Sequence, residues 1–248
     1  MSNQLIQFLN PYSKQVDLPS IGKPVEIKPI TTGQMKKILS YEDGNDPFII
    51  EDILDDIITG CVVNEWFNVD NITIQDRFTL IVEIRKITKG NTYTFNIECP
   101  KCRTELINSI NLDELEFIPY PEKIDPIVKL TESLSVSMKY TTRDIQKEAI
   151  KLVNGIPNLT IEQKMAEMAT YMYALSMETF YTPTGEITDA SIEDKKELLD
   201  NLSEDVYENI NEWYKKFDYG VKFKYQPLCR FCGWKNEEED IPITGFFF

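Results

Sequence analysis

Apolar and polar residues change their period along this chain, and the changes divide it into segments. From Val16 to Ile30, VDLPSIGKPVEIKPI alternates around Gly22-Lys23-Pro24 and predicts a short β-hairpin. TTGQMKKILSYED then predicts a short helix with Met35, Ile38 and Leu39 on one face. Pro47, suited to a first helical turn, opens a longer helix. Its Ile49, Ile50, Ile53, Leu54, Ile57, Ile58 and Cys61 recur at helical spacing. The acids between them, Glu51, Asp52, Asp55 and Asp56, read as the solvated face. Thr73 and Asp76 form a candidate capping pair for a third helix, along which Ile74, Phe78, Ile81 and Ile84 share a face before Gly90 stops it.

Beyond Gly90 the period falls to two. NTYTFNIE predicts a strand through Tyr93, Phe95 and Ile97, and TELINSINLDELEF a second through Leu106, Ile110 and Leu112. Pro119, Pro121 and Pro126 mark an ordered connector or a boundary, and ESLSVSMKY follows as another strand. From Thr141 the period returns to 3.6. TTRDIQKEAIKLVNG predicts a helix with a glycine stop, LTIEQKMAEMATYMYALSMETF a longer one, and Ser191 to Asp218 one interrupted helix or two. Thr160 with Gln163 and Ser191 with Asp194 are candidate N-terminal caps. Met165, Met168, Tyr171, Met172, Leu175 and Met177 read as core-facing, with a soft binding surface as the alternative. Trp213, Tyr214 and Phe217 read as core. After Gly220, VKFKYQPL restores a strand pattern with Val221, Phe223 and Tyr225 on one side.

The sum is an α+β protein. Its expected parts are an N-terminal hairpin and helices (1–90), a discontinuous β-rich part (91–140 with 219–248), and a helical insertion (141–218).

Charge narrows the function. The chain has 248 residues and a formal net charge of −15, and no run of Lys and Arg interrupts its acidity. That argues against broad binding to nucleic acid or anionic lipid, both of which reward clustered cations. No stretch approaches the ~18 consecutive apolar residues of a membrane span. MSNQLIQFLNPYSKQ lacks the charged start and apolar core of a signal peptide, so a reducing cytosol is the expected setting. Histidine is absent, which excludes Ser-His-Asp, Cys-His and HExxH chemistry in this chain. The acidic pairs carry no specific sign of carboxylate catalysis, and no enzyme is expected.

Cysteine spacing adds the strongest chemical signal. Cys99 and Cys102 in IECPKCRTE, and Cys229 and Cys232 in PLCRFCGWK, are two CxxC pairs separated by residues 103–228. Each follows an alternating segment, as expected of hairpin tips that offer two sulfurs on one side of a tight turn. Two such tips supply the four thiolates of a tetrahedral, structural Zn2+ site in a zinc-ribbon-like part. Gly233 suits the positive φ that follows such a turn. The wide spacing then requires an insertion, with strands from 91–112 and 221–243 pairing to bring its ends together. Two separate reduced pairs, or redox work, are the alternatives. Redox work fits less well, because no helix signal follows either pair. Cys61, on an apolar helix face, reads as core. The terminal Phe246, Phe247 and Phe248 cannot all point one way on a strand. They are either anchors for a partner or a tail docked within the chain.

Taken together, GKPVEIKPITTGQMKKIL, LIVEIRKITKGNTYTFNIECPKC and the aromatic C-terminus resemble a family of baseplate hub subunits or hub assembly proteins from T-even-like contractile-tailed phages. The resemblance implies a viral structural or assembly protein that binds other tail or baseplate proteins, in the virion or in the host cytoplasm during assembly, with no catalytic residues. The alternative function is a zinc-ribbon adaptor in transcription or nucleic-acid processing. Phe231 and Trp234 would then stack on bases beside Arg230 and Lys235.

Overall fold

Most segments of both periods fold as their patterns direct, into seven α-helices and several small antiparallel sheets among the described residues. The computed structural model describes residues 12–39, 47–243 and 245–247, with side chains described over 12–37, 50–243 and 245–247. The expected burial of Ile38, Leu39 and Ile49 lies outside the described residues, as does Phe248. The first elements are β1 (Lys14–Leu18), β2 (Lys23–Ile27), α1 (Thr32–Leu39), α2 (Pro47–Cys61), α3 (Ile74–Lys89), β3 (Thr92–Glu98), β4 (Glu105–Asn111) and β5 (Phe117–Ile118). Next come β6 (Ile127–Lys129), β7 (Ser135–Met138), α4 (Arg143–Asn154), α5 (Ile161–Ser176), β8 (Met177–Thr182) and β9 (Gly185–Ile187). The chain closes with α6 (Ile192–Asp200), α7 (Glu204–Lys216), β10 (Gly220–Val221), β11 (Lys224–Tyr225) and β12 (Glu239–Asp240). No described helix is long and apolar enough to cross a membrane. Two units emerge: Met1–Phe67 with Asp76–Pro119 and Gly220–Phe248, and Asn68–Gln75 with Tyr120–Tyr219.

In the first unit, α3 is the central helix. From Asp76 onward it is buried on most sides, including Arg77 and Arg85, as expected of a helix enclosed by its neighbours rather than lying on a surface. The β1–β2 hairpin sets Val16 opposite Val25, and Val16, Leu18, Val25 and Ile27 are all buried. Polar contacts run from it to α3. Asp76 accepts from the Ser20 N–H at 2.8 Å, Lys14 pairs with Glu83, and the Ile30 N–H donates to Thr88 Oγ1 at 3.1 Å.

The acidic face of α2 departs from expectation. Asp52 and Asp56 are exposed, but Asp55 is buried and Glu51 half-buried. Both bind the buried Arg77: Nε donates to Asp55 Oδ1 at 2.9 Å, and Nη1 to Glu51 Oε2 at 2.5 Å. Nη2 donates to the Glu51 carbonyl at 2.6 Å. Glu51 and Asp55, four residues apart, share the side of α2 that meets α3, so one guanidinium collects both.

In the second unit, the sheet runs in the order β6-β7-β8-β9, antiparallel throughout. Val128, Val136, Met177 and Phe180 from the sheet pack with Ile210, Trp213 and Phe217 in one core. The Trp213 indole donates to the Asp125 carbonyl at 2.7 Å, satisfying its only polar atom. Of the expected capping pairs, those of Thr160 with Gln163 and Ser191 with Asp194 form complete capping boxes. The segment from Ser191 to Asp218 makes two helices, α6 and α7.

Two expectations fail here. The methionine-rich helix was expected to reach Phe180, but it ends at Ser176. METFYT continues as β8, with Val136 opposite Phe180 and Met138 opposite Met177. Thr, Phe and Tyr favour that half-buried sheet position over a helix. Within α5 only Ala174 and Ser176 are buried, while Ile161 and Met165 are 53% and 56% exposed.

Candidate metal centre

The β3–β4 hairpin carries the first cysteine pair at its tip, just beyond the Glu98–Glu105 register pair. The second pair lies inside a smaller hairpin, closed by a Leu228–Lys235 bridge and by the pairing of β11 with β12. The two tips share one backbone design. The Cys99 N–H donates to the Thr104 carbonyl at 2.9 Å, and the Arg103 N–H to the Cys99 carbonyl at 2.8 Å. In the second, the Cys229 N–H donates to the Trp234 carbonyl at 2.7 Å, and the Gly233 N–H to the Cys229 carbonyl at 2.9 Å. Each turn needs a left-handed residue straight after its second cysteine. Gly233 supplies one at φ 72°, and Arg103 the other at φ 58°.

These matched turns face each other. The four sulfurs lie within 4.8 Å of one another, with Cys99 Sγ 3.7 Å from Cys232 Sγ and Cys102 Sγ 3.6 Å from Cys229 Sγ. Those separations far exceed a disulfide bond, and all five cysteines are free thiols. They match the roughly 3.8 Å sulfur–sulfur edge of a tetrahedron with metal–sulfur bonds of about 2.3 Å. Cys99 and Cys229 are fully buried, Cys102 is exposed, and Leu106, Ile97 and Trp234 pack around the sulfurs. The donor set, geometry and shielding together suit a thiophilic divalent metal.

Electrostatics within the cluster point the same way. Hydrogen bonds from Thr104, its hydroxyl first and then its backbone, lower the Cys102 thiol to about 6. The Trp234 backbone favours the Cys232 thiolate, but burial and the neighbouring sulfurs outweigh it and push that thiol up to about 12. The neighbouring sulfurs thus favour the Cys102 thiolate and oppose that of Cys232, and a bound cation would favour the thiolate form of any sulfur it touches.

The expected pairing of strands from 91–112 with strands from 221–243 does not occur. β3 pairs with β4, β11 with β12, and β10 with β5. Each hairpin tip closes on itself, so at the tips the two halves meet through sulfurs and packed side chains, while the short β5–β10 ladder, Ile118 opposite Gly220 and Phe117 opposite Val221, joins them elsewhere. Cys61 is buried, as expected, and burial pushes its thiol up to about 12.

Phe246 and Phe247 are 1% and 4% exposed, docked within the first unit. The Phe246 ring meets Tyr93 edge-on at 4.8 Å and Phe223 at 5.2 Å. Its carbonyl accepts from Arg85 Nε at 2.6 Å, while Arg85 also donates to the carbonyls of Gly90 (2.9 Å) and Thr92 (3.1 Å). Phe246 and Phe247 are therefore docked within the chain, as the second reading of the tail expected of them, while Phe248 lies outside the described residues. The sequence reading missed Arg85 and Arg77. Their signal was two arginines placed four residues to either side of the core-facing Ile81, on its side of the helix.

Comparison with curated proteins gives no match, and comparison with solved structures gives none. The family model described as T4 bacteriophage base plate protein matches residues 10–247, almost the whole chain. The chain belongs to the T4 bacteriophage base plate protein family, whose place is the virion tail among other phage structural proteins.

Proposed function

We propose that this chain is a structural or assembly protein of the hub region of a contractile-tail baseplate. It acts by binding other tail proteins, and Cys99, Cys102, Cys229 and Cys232 hold one structural Zn2+. The observation that carries the reading is the convergence of four sulfurs, from turns more than a hundred residues apart, in a chain of a baseplate family. Four thiolates leave zinc no vacant position for a catalytic water, so the metal's contribution is to folding. The metal would clasp the C-terminal segment to the β3–β4 hairpin, where no strand ladder does so. Function then resides in surfaces held in fixed relation by that clasp.

The test has two readouts. Elemental analysis of the purified chain should give one zinc per chain, lost in each single Cys→Ser variant. Quantitative peptide analysis of purified particles should find the chain in baseplates or in their assembly intermediates. Retention in finished particles would identify a constituent, and loss on maturation an assembly factor. Absence from both would overturn the hub reading, and full metal retention in a four-serine variant would overturn the metal site.

A further inference from the structure

We infer that the two cysteine-turn tips together form a docking face for an acidic surface on another baseplate protein, with Phe231 as its apolar anchor. This rests on the reading of the chain as a baseplate protein that works by protein contacts. The sulfur contacts of 3.6 and 3.7 Å hold the tips side by side. Phe231, between the second pair of cysteines, is 76% exposed, and neighbouring Leu228 is 56% exposed. Trp234, two residues beyond Cys232, packs inward against the cluster instead.

Charge marks the same place. Lys101, Arg103, Arg230 and Lys235 are all exposed, and none forms an ion pair among the described residues. Elsewhere lysines such as Lys14, Lys86, Lys196 and Lys222 are paired with acids. Other lysines, Lys28, Lys89 and Lys129 among them, also form no ion pair among the described residues, but here two adjoining turns carry four such cations in a chain of net charge −15. Screening of the metal cluster does not account for them all. Four thiolates around Zn2+ carry −2, whereas the four side chains carry +4.

Arg103 supplies an independent sign. It occupies a left-handed conformation at φ 58°, where the twin turn has Gly233 at φ 72°. That backbone suits glycine, so a long cationic side chain stands there against local preference, as happens at functional positions. The partner's chemistry follows from what borders the face. Glu98 and Glu105 sit opposite each other just below the first tip, and Glu237 to Asp240 follow Lys235. Those acids would repel a phosphate backbone running across the face. They would repel carboxylates too, but a folded protein surface can set discrete carboxylates against the four cations and away from those acids, with a socket for one phenyl ring, which a continuous phosphate backbone cannot.

Carbodiimide, which joins lysine amines to carboxylates without a spacer, tests this on assembled baseplates of the phage that encodes the chain. Lys101 or Lys235 should be joined to Asp or Glu of a different protein. In the same particles both lysines should acetylate at least tenfold more slowly than in the free chain. Equal acetylation in the two states, with the chain present in the particle, would overturn the inference and leave the baseplate reading standing. Absence of the wild-type chain from particles would sink both. A Phe231→Ser, Arg230→Glu variant should keep its zinc and melting temperature yet incorporate at least tenfold less; wild-type incorporation would refute the docking face. A labelled single-stranded 20-mer that binds the wild type but not this variant would identify a nucleic-acid face and overturn the protein partner.

Discussion

Truncating Phe246 to alanine tests how the C-terminal tail holds the first unit together. The ring is 1% exposed and meets Tyr93, Phe223 and Phe247 at centroid distances of 4.8, 5.2 and 5.3 Å. Alanine keeps the carbonyl that Arg85 binds but removes the ring from a site walled by other aromatics, which cannot collapse to fill it. Such a change costs about 3–5 kcal/mol. For a chain of this size about 4 kcal/mol corresponds to a fall in Tm of roughly 8–16 °C. Phe246→Leu, which keeps more of the volume, should lose less than half as much. Arg85→Met should rank between them, because it leaves the buried Phe246 carbonyl without its donor, while those of exposed Gly90 and Thr92 can turn to water, at about 1–3 kcal/mol. Differential scanning calorimetry on the zinc-loaded protein gives the three values. A loss of under 2 °C for Phe246→Ala would refute the docked tail and return the phenylalanines to the role of exposed anchors.

Three further outcomes follow from the same geometry. Arg77→Met removes the guanidinium shared by Asp55 and Glu51 and should cost about 3–5 kcal/mol, whereas Lys37→Ala, breaking the exposed pair with Asp56, should change stability by no more than about 0.5 kcal/mol; urea unfolding separates the two. Cys61, its thiol pushed up by burial to about 12, should resist iodoacetamide at pH 8 in the folded protein and react only on unfolding, as read by mass spectrometry. Gly233→Ala meets no atom within 4 Å of the added Cβ, so only its φ of 72° opposes it. That substitution should cost about 1–2 kcal/mol while leaving the metal content at one per chain.

What the sequence disclosed tracks what is local. The capping boxes at Thr160 and Ser191, the β1–β2 alternation and the helical spacing of α2 depend on neighbours in sequence, and each formed. The cysteine turns were legible for the same reason, down to the left-handed Gly233. Their first copy hid one feature, because Arg103 takes a conformation that its residue type does not announce. Other misses arose where distant chain decided the outcome. Asp55 looked solvated until Arg77 was packed against it. METF read as helix until β7 offered it a partner. Pairing of 91–112 with 221–243 was expected to close the insertion, yet the ladder that joins its ends is the short β5–β10 pair, and the cysteine turns meet through side chains and sulfurs alone. The tail's burial depends on Arg85, Tyr93 and Phe223 together, three residues with no shared pattern.

The central claim is a metal-clasped chain that works by binding other baseplate proteins. A native mass spectrum of the chain, co-expressed with the other baseplate proteins of its phage, tests it most directly. The account predicts a complex of defined stoichiometry with one zinc for every copy of this chain. A metal-free monomer that ignores those proteins would contradict it.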